Sequence, residues 1–592
     1  MLLNIVILIT LYLSSGLCYK HYFSLKKTKK FLHVSNEIND VGFNDLFEDD
    51  LIEINDPLIL KFEDGHTIPN WLRGSLLRNG PAVFGSLNKD KKQYTHIFDG
   101  LAKLSRFTFG DNVGEIQFQN SFIKSSWYEK IVKNNNDVPP SVTTGPVVPS
   151  FSLIDNIYSA LTSSSLFDNV PVNIHKIGTK GPIVATTDAP IQVAFNPDTL
   201  ETIGKISYKN SITYPGGIEL FSTAHPHYFK SKVDNDTWSI NYFLEMRPLA
   251  IPTLPSSNIA HIVKINSNLE RHKVGSIALG DGVIPYVHDF SITENYAILM
   301  VFPLFMNPIS IINGKGFLPQ LEWKKHCNFT QIYVFDLNKK KITFDPLTGT
   351  SDNVYQFQTS PMWAYHHINA FEKDNTIVVD VNGYETPDIV TADNGFAYIQ
   401  NVKDRNKRIN QVRDGNWFRI LIPMQKNGTF IEYSRLPAID KNGKSYTAEL
   451  LRTNDNLAQG VERRYSYGFT GFPGKDRNND YGNDKTGSFT TWSIVKLDHH
   501  IAQSLLINND NILPSIKSWS QCNCYPSESI FVSKDKDNVT EDSDDGVVLS
   551  VVYDGKKKQS FLLVLDGITM KELGRVYLTK RIPFSFHGTF LS

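Results

Sequence analysis

Short apolar runs, rich in β-branched and aromatic residues, recur from about residue 57 onward. The clearest are DTWSINYFLEM (236–246), ENYAILMVF (294–302), QIYVFDL (331–337), NTIVVDV (375–381), WFRILIP (417–423), TTWSIVKL (490–497), GVVLSVVYD (546–554) and SFLLVLD (560–566). Gly, Asn, Asp and Pro punctuate them. Runs of this length and composition predict strands separated by turns. Helical periodicity is scarce, and SFSLIDNIYSALTSSS (150–165) is the best amphipathic candidate. Many strands spread evenly along a long chain predict a large closed all-β architecture. A propeller is one such solution, because radial repetition leaves no long exposed edge. No repeat of fixed period is visible, so the pattern alone does not give a blade count. The stretches 474–487 and 534–545 are rich in Asp, Asn and Lys and read as solvated loops.

The N-terminus has a different pattern. Leu2 to Leu17 is one apolar stretch without charge, followed by Lys20, Lys26, Lys27, Lys29 and Lys30. Residues 1–18 therefore read as a signal peptide, with Ser14, Ser15 and Gly16 near a cleavage site. The alternative is a membrane anchor, since downstream positive charge favours a cytosolic domain. The first reading places the protein in the secretory pathway, in the lumen or outside the cell; the second tethers a cytosolic domain. Sequons beginning at Asn235, Asn328, Asn427 and Asn538 fit the first reading. Residues 19–56 are polar and mixed in charge, ending near Glu48-Asp49-Asp50, and read as a leader. Residues 57–592 form the expected domain.

Composition narrows the function. The 592 residues carry 60 Lys+Arg against 61 Asp+Glu, a net charge of −1. No basic excess suggests a nucleic-acid partner. Four cysteines exclude a disulfide-dense scaffold, and Cys327, Cys522 and Cys524 read as ordinary thiols. The 16 histidines include no short zinc-type pair. Four occupy unusual settings: His225 in TAHPHYF, His288 in PYVHDFSIT, His366 in WAYHHINAFE and His587 in PFSFHGTFLS. Spacing this wide does not itself identify a metal site. His225 and His227 lie two apart, so on a strand either reaches the same side. Adjacent His366 and His367 face opposite ways, so only one of them faces any given point.

The ordered fragments PNWLRGSLLRNGPAVFG (69–85), HIFDGLAKLSRFTF (96–109), FNPDTLETIG (195–204), TAHPHYF (223–229), YVHDFSIT (286–293), YHHINAFE (365–372), YPSESIFV (525–532), DDGVVLSVV (544–552) and PFSFHGTF (583–590) resemble the carotenoid cleavage oxygenase family. That family includes carotene dioxygenases and the retinoid isomerohydrolase. The resemblance implies a seven-bladed β-propeller with one Fe(2+) on its axis under a cap of loops and short helices. It selects His225, His288, His366 and His587 as the metal ligands and leaves His96 a structural role. Four neutral imidazoles suit Fe(II) and leave coordination positions open. A ligating imidazole needs an acceptor on its other nitrogen. The resemblance assigns Glu449 to His366 and Glu528 to His587. The position paired with His288 falls on Asp188, where the family has Glu. The shorter side chain implies an inward backbone, a bridging water or a looser contact, and restoring Glu is expected to improve or preserve activity.

The activity implied is dioxygenase cleavage of a conjugated C=C bond in a carotenoid or apocarotenoid by O2, giving carbonyl products. The alternatives are a retinoid isomerohydrolase-like or stilbene-cleaving enzyme, or a non-catalytic carotenoid-binding protein. A polyene substrate implies peripheral membrane contact, for which 146–160 and 301–317 are the candidate apolar stretches. The family's Pro-Asp-Pro-Cys-Lys element is absent from the first.

Overall fold

A computed structural model describes residues 41–592 apart from 86–90, 156–167, 231–236, 248–252, 308–313, 391–396, 405–414, 437–447, 471–491, 508–514, 536–539 and a few scattered positions. The stretches 1–18 and 474–487 and most of 150–165 lie outside the described residues.

Each apolar run that the sequence marks becomes a strand: Thr237–Met246, Tyr296–Val301, Thr330–Asp336, Thr376–Tyr384, Asn416–Pro423, Ser493–Asp498, Gly546–Asp554 and Gln559–Asp566. Antiparallel pairing groups the strands into seven blades, in chain order except for one exchange at the seam. Blade one holds Ile54–Lys61, Gly74–Val83, Leu101–Phe109 and Glu115–Phe122, completed by Gly588–Leu591. Blades two to seven begin at Asn173–Lys176, Ile218–Ser222, Ser291–Ile292, Trp363–Lys373, Glu449–Arg452 and Cys524–Ser533, and each adds strands outward in sequence order. The first strands of these blades, together with Gly588–Leu591, surround the central axis. Six of these seven line one axial channel, and in blade three the lining comes instead from His225, Pro226 and the strand His227–Lys230.

Apolar cores sit between the blades. Leu77 and Leu104 of blade one meet Ile174 and Phe195 of blade two. Phe243 and Val263 of blade three meet Val184 of blade two. Ile494 and Tyr467 of blade six meet Phe531 and Val548 of blade seven. Phe107 and Phe118 of blade one meet Leu549 and Val564 of blade seven, which closes the circle. Sheet-on-sheet packing of this kind buries one row of each strand's alternating side chains on either face. It explains why the central strands read as almost continuous apolar runs.

The seam is a backbone lock. Ser75, Leu76, Leu77 and Arg78 pair with Leu591, Phe590, Thr589 and Gly588. Gly588 must be glycine, because a Cβ there would lie 2.1 Å from the Leu77 carbonyl oxygen.

The leader expected over 19–56 does not extend to its predicted end. Phe43, Leu46 and Phe47 are buried in the largest core cluster. The Phe43 ring meets Trp492 at 5.1 Å and Tyr525 at 5.2 Å. Asp50 is buried between Lys103 at 3.0 Å and Lys580 at 2.9 Å. Asp50, part of the acidic run near the end of the expected leader, is thus an ion-pair partner holding this segment across blades one and seven. Of the two candidate membrane stretches, Val301–Met306 is interior, whereas Val148 and Ile154 are exposed. No described helix is long and apolar enough to cross a membrane.

Replacing Phe43 by Ala should cost about 3–5 kcal/mol, the usual range for a buried ring. The thermal unfolding midpoint of the full chain should fall; an unchanged midpoint would mark the segment as an appendage.

Candidate metal centre

The inner strands break regular geometry where they carry the site. In blade three, Ser222 pairs with Phe243 and His227 with Ile240, so four residues (223–226) face two. His225 lies in that bulge. In blade five, Ala364 pairs with Gly383 and His367 with Val381, so Tyr365 and His366 face one residue. The same two-against-one slip flanks Glu449 in blade six and contains Glu528 in blade seven. A bulge re-aims a side chain that the alternating pleat would send elsewhere. His288 and His587 stand just before the inner strands that start at Ser291 and Gly588.

These devices bring one nitrogen from each of His225, His288, His366 and His587 within 4.8 Å of one another. The rings meet nearly edge to face: His225 stands 4.8 Å from His288, 5.2 Å from His366 and 4.6 Å from His587, at angles of 69°, 79° and 86°. His366 and His587 are 5.1 Å apart at 72°.

Carboxylates hold three of the rings by Nδ1. Asp188 Oδ2 lies 2.7 Å from His288 Nδ1, Glu528 Oε1 lies 2.7 Å from His587 Nδ1, and Glu449 Oε2 lies 3.4 Å from His366 Nδ1. The shorter Asp188 thus makes direct contact, and the longest of the three contacts is at Glu449. Asp188 is itself placed by the Ala224 N–H at 3.1 Å and the Tyr286 hydroxyl at 3.1 Å, both donating to it. The Tyr384 hydroxyl donates to Glu449. Glu528 is fully buried and takes bonds from Arg78 at 2.5 Å, Arg452 at 3.3 Å and the Gly588 N–H at 3.1 Å. Burial opposes its ionisation, yet Arg452, His587 and Arg78 together hold its carboxyl far below the usual range.

Each carboxylate fixes the proton on Nδ1 and turns Nε2 toward the axis. Burial and the other three rings press the pKa of His225 well below normal, and burial takes that of His587 down to about 4. Burial acts against protonation of His288 too, but Asp188 outweighs it and raises its pKa. His366 Nε2 is buried without a hydrogen-bond partner among the described residues. A buried nitrogen left unpaired is costly, and a cation would satisfy it. A metal about 2.0–2.1 Å from each imidazole nitrogen puts opposite ligands roughly 4 Å apart, so the cluster can hold one ion.

The neighbouring histidines have other tasks. His227 Nε2 donates to the Phe290 carbonyl at 2.7 Å. His367 Nδ1 pairs with the Ser291 hydroxyl at 2.5 Å, and its backbone N–H donates to Asp289 at 2.8 Å. Both residues therefore tie their inner strands to the one carrying His288. His96 Nδ1 accepts the Phe98 N–H at 3.3 Å while its ring stands on Tyr398, away from the metal cluster.

The sequence did not single out Arg78, Arg452, Tyr286 and Tyr384. For Arg78 a signal existed: a charged residue inside the apolar run GSLLRNGPAV. Beside His288 and Asp188 opens a cavity walled there by Phe221, Tyr286 and Phe317. The Tyr286 ring is held flat against Trp363 at 5.3 Å. On the other side of the site, the axial channel reaches His225, His366 and His587 and is more polar.

Fold and site together define a β-propeller protein whose four-imidazole cluster could hold one metal ion and adjoins an aromatic pocket. Comparison with known proteins gives the particular family. Residues 47–592 match the family profile described as retinal pigment epithelial membrane protein. The chain belongs to this carotenoid cleavage oxygenase family, and it is an oxygenase. It is 29% identical over 562 residues to the mitochondrial carotenoid-cleaving dioxygenase of Macaca fascicularis, covering 89% of this chain and 91% of that one. It is 26% identical over 554 residues to the beta,beta-carotene 15,15'-dioxygenase of Mus musculus, covering 89% and 88%. A cobalt-substituted apocarotenoid oxygenase from Synechocystis shares its fold, with a TM-score of 0.67 at 18% identity over 92% of this chain and 97% of that one.

Replacing His366 or His587 by Ala should abolish stoichiometric metal by elemental analysis; full retention in either variant would refute the convergence. Asp188→Glu pushes an extra methylene into a gap already closed at 2.7 Å, and overpacking disturbs such sites. Contrary to the sequence expectation, metal affinity should fall, by up to the 10–100-fold typical when such an outer partner is lost. Unchanged or tighter binding would show that the gap accommodates Glu.

Proposed function

We propose that the chain binds one ferrous ion through His225, His288, His366 and His587 and uses O2 to cleave a conjugated C=C bond of a carotenoid or apocarotenoid. The observation that carries this reading is the junction of four convergent imidazoles with an aromatic-walled cavity at His288. Relatives named for carotenoid cleavage and a structural neighbour that accepts cobalt support it. Ferrous iron bound there would supply the centre at which O2 is activated for scission to two carbonyl products. The protein's own part is positional. Asp188, Glu449 and Glu528 keep three imidazoles in the tautomer that presents Nε2 inward. Arg78 and Arg452 keep Glu528 ionised, so its acceptor strength is constant. Phe221, Tyr286 and Phe317 form an apolar wall against which a polyene excludes water from the reacting bond.

Iron-loaded protein incubated with β-carotene or an apocarotenal under labelled O2 should yield two carbonyl products by mass spectrometry. Pigment that stays bound and unchanged would favour the carrier reading. A single isomerised or hydrolysed product would favour isomerohydrolase-like chemistry.

The compartment belongs to the same proposal. The uncharged stretch Leu2–Leu17 and the sequons at Asn328 and Asn427, both at the surface, support passage through the secretory pathway. Full-length chain made in eukaryotic cells should lose mass on treatment with an N-glycan-cleaving amidase. An unshifted chain held on the cytosolic face of membranes would favour the anchor.

A further inference from the structure

Single apolar side chains are ordinary on a protein surface, but two exposed rings in contact raise the question of what covers them. Phe329 is 43% exposed and Phe430 48%, and their rings stand 5.9 Å apart at 77°. Each lies at a sequon. Phe329 is the middle residue of Asn328-Phe329-Thr330, and Phe430 directly follows Asn427-Gly428-Thr429. The two asparagines are 99 residues apart in the chain (427 − 328). One stands just before the blade-four strand Thr330–Asp336, the other beyond the blade-five strand Asn416–Pro423.

Backbone pairing brings them to one place. Thr330 and Gln331 pair with Thr359 and Gln358 of the outermost strand of blade four, Val354–Thr359. The segment from Asn427 to Ile431 covers the free edge of that strand. The Gly428 N–H donates to the Gln356 carbonyl at 2.8 Å, the Gln358 N–H to the Thr429 carbonyl at 3.2 Å, and the Ile431 N–H to the Gln358 carbonyl at 2.8 Å. On the other approach, the Cys327 sulfur accepts the Phe329 N–H at 3.4 Å and the Gln331 side-chain amide at 3.2 Å. Asn328 and Asn427 are both exposed. Asn427 Oδ1 accepts the Gln356 N–H at 2.8 Å, and Nδ2, the atom to which a sugar is joined, has no partner among the described residues. The Thr330 hydroxyl is buried and accepts the Met362 N–H at 3.2 Å, so a sugar on Asn328 must be added before this blade closes.

We infer that Asn328 and Asn427 carry N-glycans and that their first sugars pack over the Phe329–Phe430 pair. This rests on the proposed passage through the secretory pathway and gives two of the four sequons one surface to cover. The co-reactant is an oligosaccharide joined to a lipid diphosphate. At each asparagine, Nδ2 forms a bond to the sugar's C1 and gives up one proton. The C1–O bond to the diphosphate breaks, and the lipid diphosphate leaves with the electron pair; nothing is oxidised or reduced. An aromatic face is negative and attracts the C–H edges of a sugar ring. The two rings thus offer the glycans a platform, and the glycans shield the rings from water and from other chains.

The test uses the full-length chain made in eukaryotic cells. Mass spectrometry of its peptides reads which asparagines carry sugar, and digestion of the folded protein with an N-glycan-cleaving amidase reads how well each sugar is protected. Asn328 and Asn427 should both be occupied. Phe329→Ala combined with Phe430→Ala leaves both sequons intact, and amidase release at the two sites should then be about 2- to 10-fold faster, the size of one aromatic contact. Phe329→Tyr combined with Phe430→Tyr keeps both ring faces and should retain the slow release. An unmodified Asn328 or Asn427 in a chain that carries sugar elsewhere would overturn the assignment and leave the compartment reading intact. Equal release from the wild-type and the double-alanine chains would overturn the packing. A chain without sugar at any of its four sequons would overturn both the assignment and its secretory premise.

Discussion

Four imidazoles, three of them buried and His225 half-buried, converge on one point, and the rest of the molecule is organised around holding them there. Three of the rings cannot turn away, because carboxylates pin them from behind. Those carboxylates would in turn resist burial as anions. Glu528 is stabilised by two guanidinium groups, Glu449 by a tyrosine, and Asp188 by a tyrosine and a backbone amide. His225 Nε2 and His288 Nε2 lie 3.2 Å apart, and a positive charge in the middle would satisfy the nitrogens that converge there. The site is thus held outward, shell by shell, from the four rings to the carboxylates and from those to the groups that donate to them.

Much of the fold was legible in the sequence because strands buried between two neighbours must be apolar nearly throughout, and runs such as GVVLSVVYD satisfy that. The site was legible in a different way. His225 and His366 could be preferred to His227 and His367 only through family motifs, since pleat alternation assumes regular strands. The bulges at 223–226 and 365–366 break that assumption. Nothing in local composition marks a bulge there. The acidic run Glu48-Asp49-Asp50 misled for a related reason: charge usually means solvent, but Asp50 is charged because Lys103 and Lys580 meet it inside. Long-range pairing of this sort has no local signature. The tyrosines on Asp188 and Glu449 were hidden likewise, because their hydroxyls find partners 98 and 65 residues away.

The two chambers at the centre divide the work by polarity. The aromatic cavity touches the cluster at His288, and the polar axial channel touches it at His225, His366 and His587. A hydrophobic ligand is stabilised on one side and excluded from the other, so the two sides of the cluster meet different solvents. His227 and His367, which the sequence could not distinguish from ligands, stand on the polar side and brace the strand that bears His288. Ligand-like residues next to ligands therefore act as struts between blades.

Closing the ring with Gly588–Leu591 against Gly74–Val83 also sets a timetable. On the ribosome, His225, His288 and His366 emerge long before His587, which lies 221 residues after His366 (587 − 366). At about 5–20 residues per second, the nascent chain waits roughly 10–40 s with three of its four rings made. During that interval the first blade lacks its innermost strand and no complete cage exists to capture an ion. A metal that needs all four rings would be taken up only after synthesis has passed the seam, and a chain stalled earlier is left without the fourth ring.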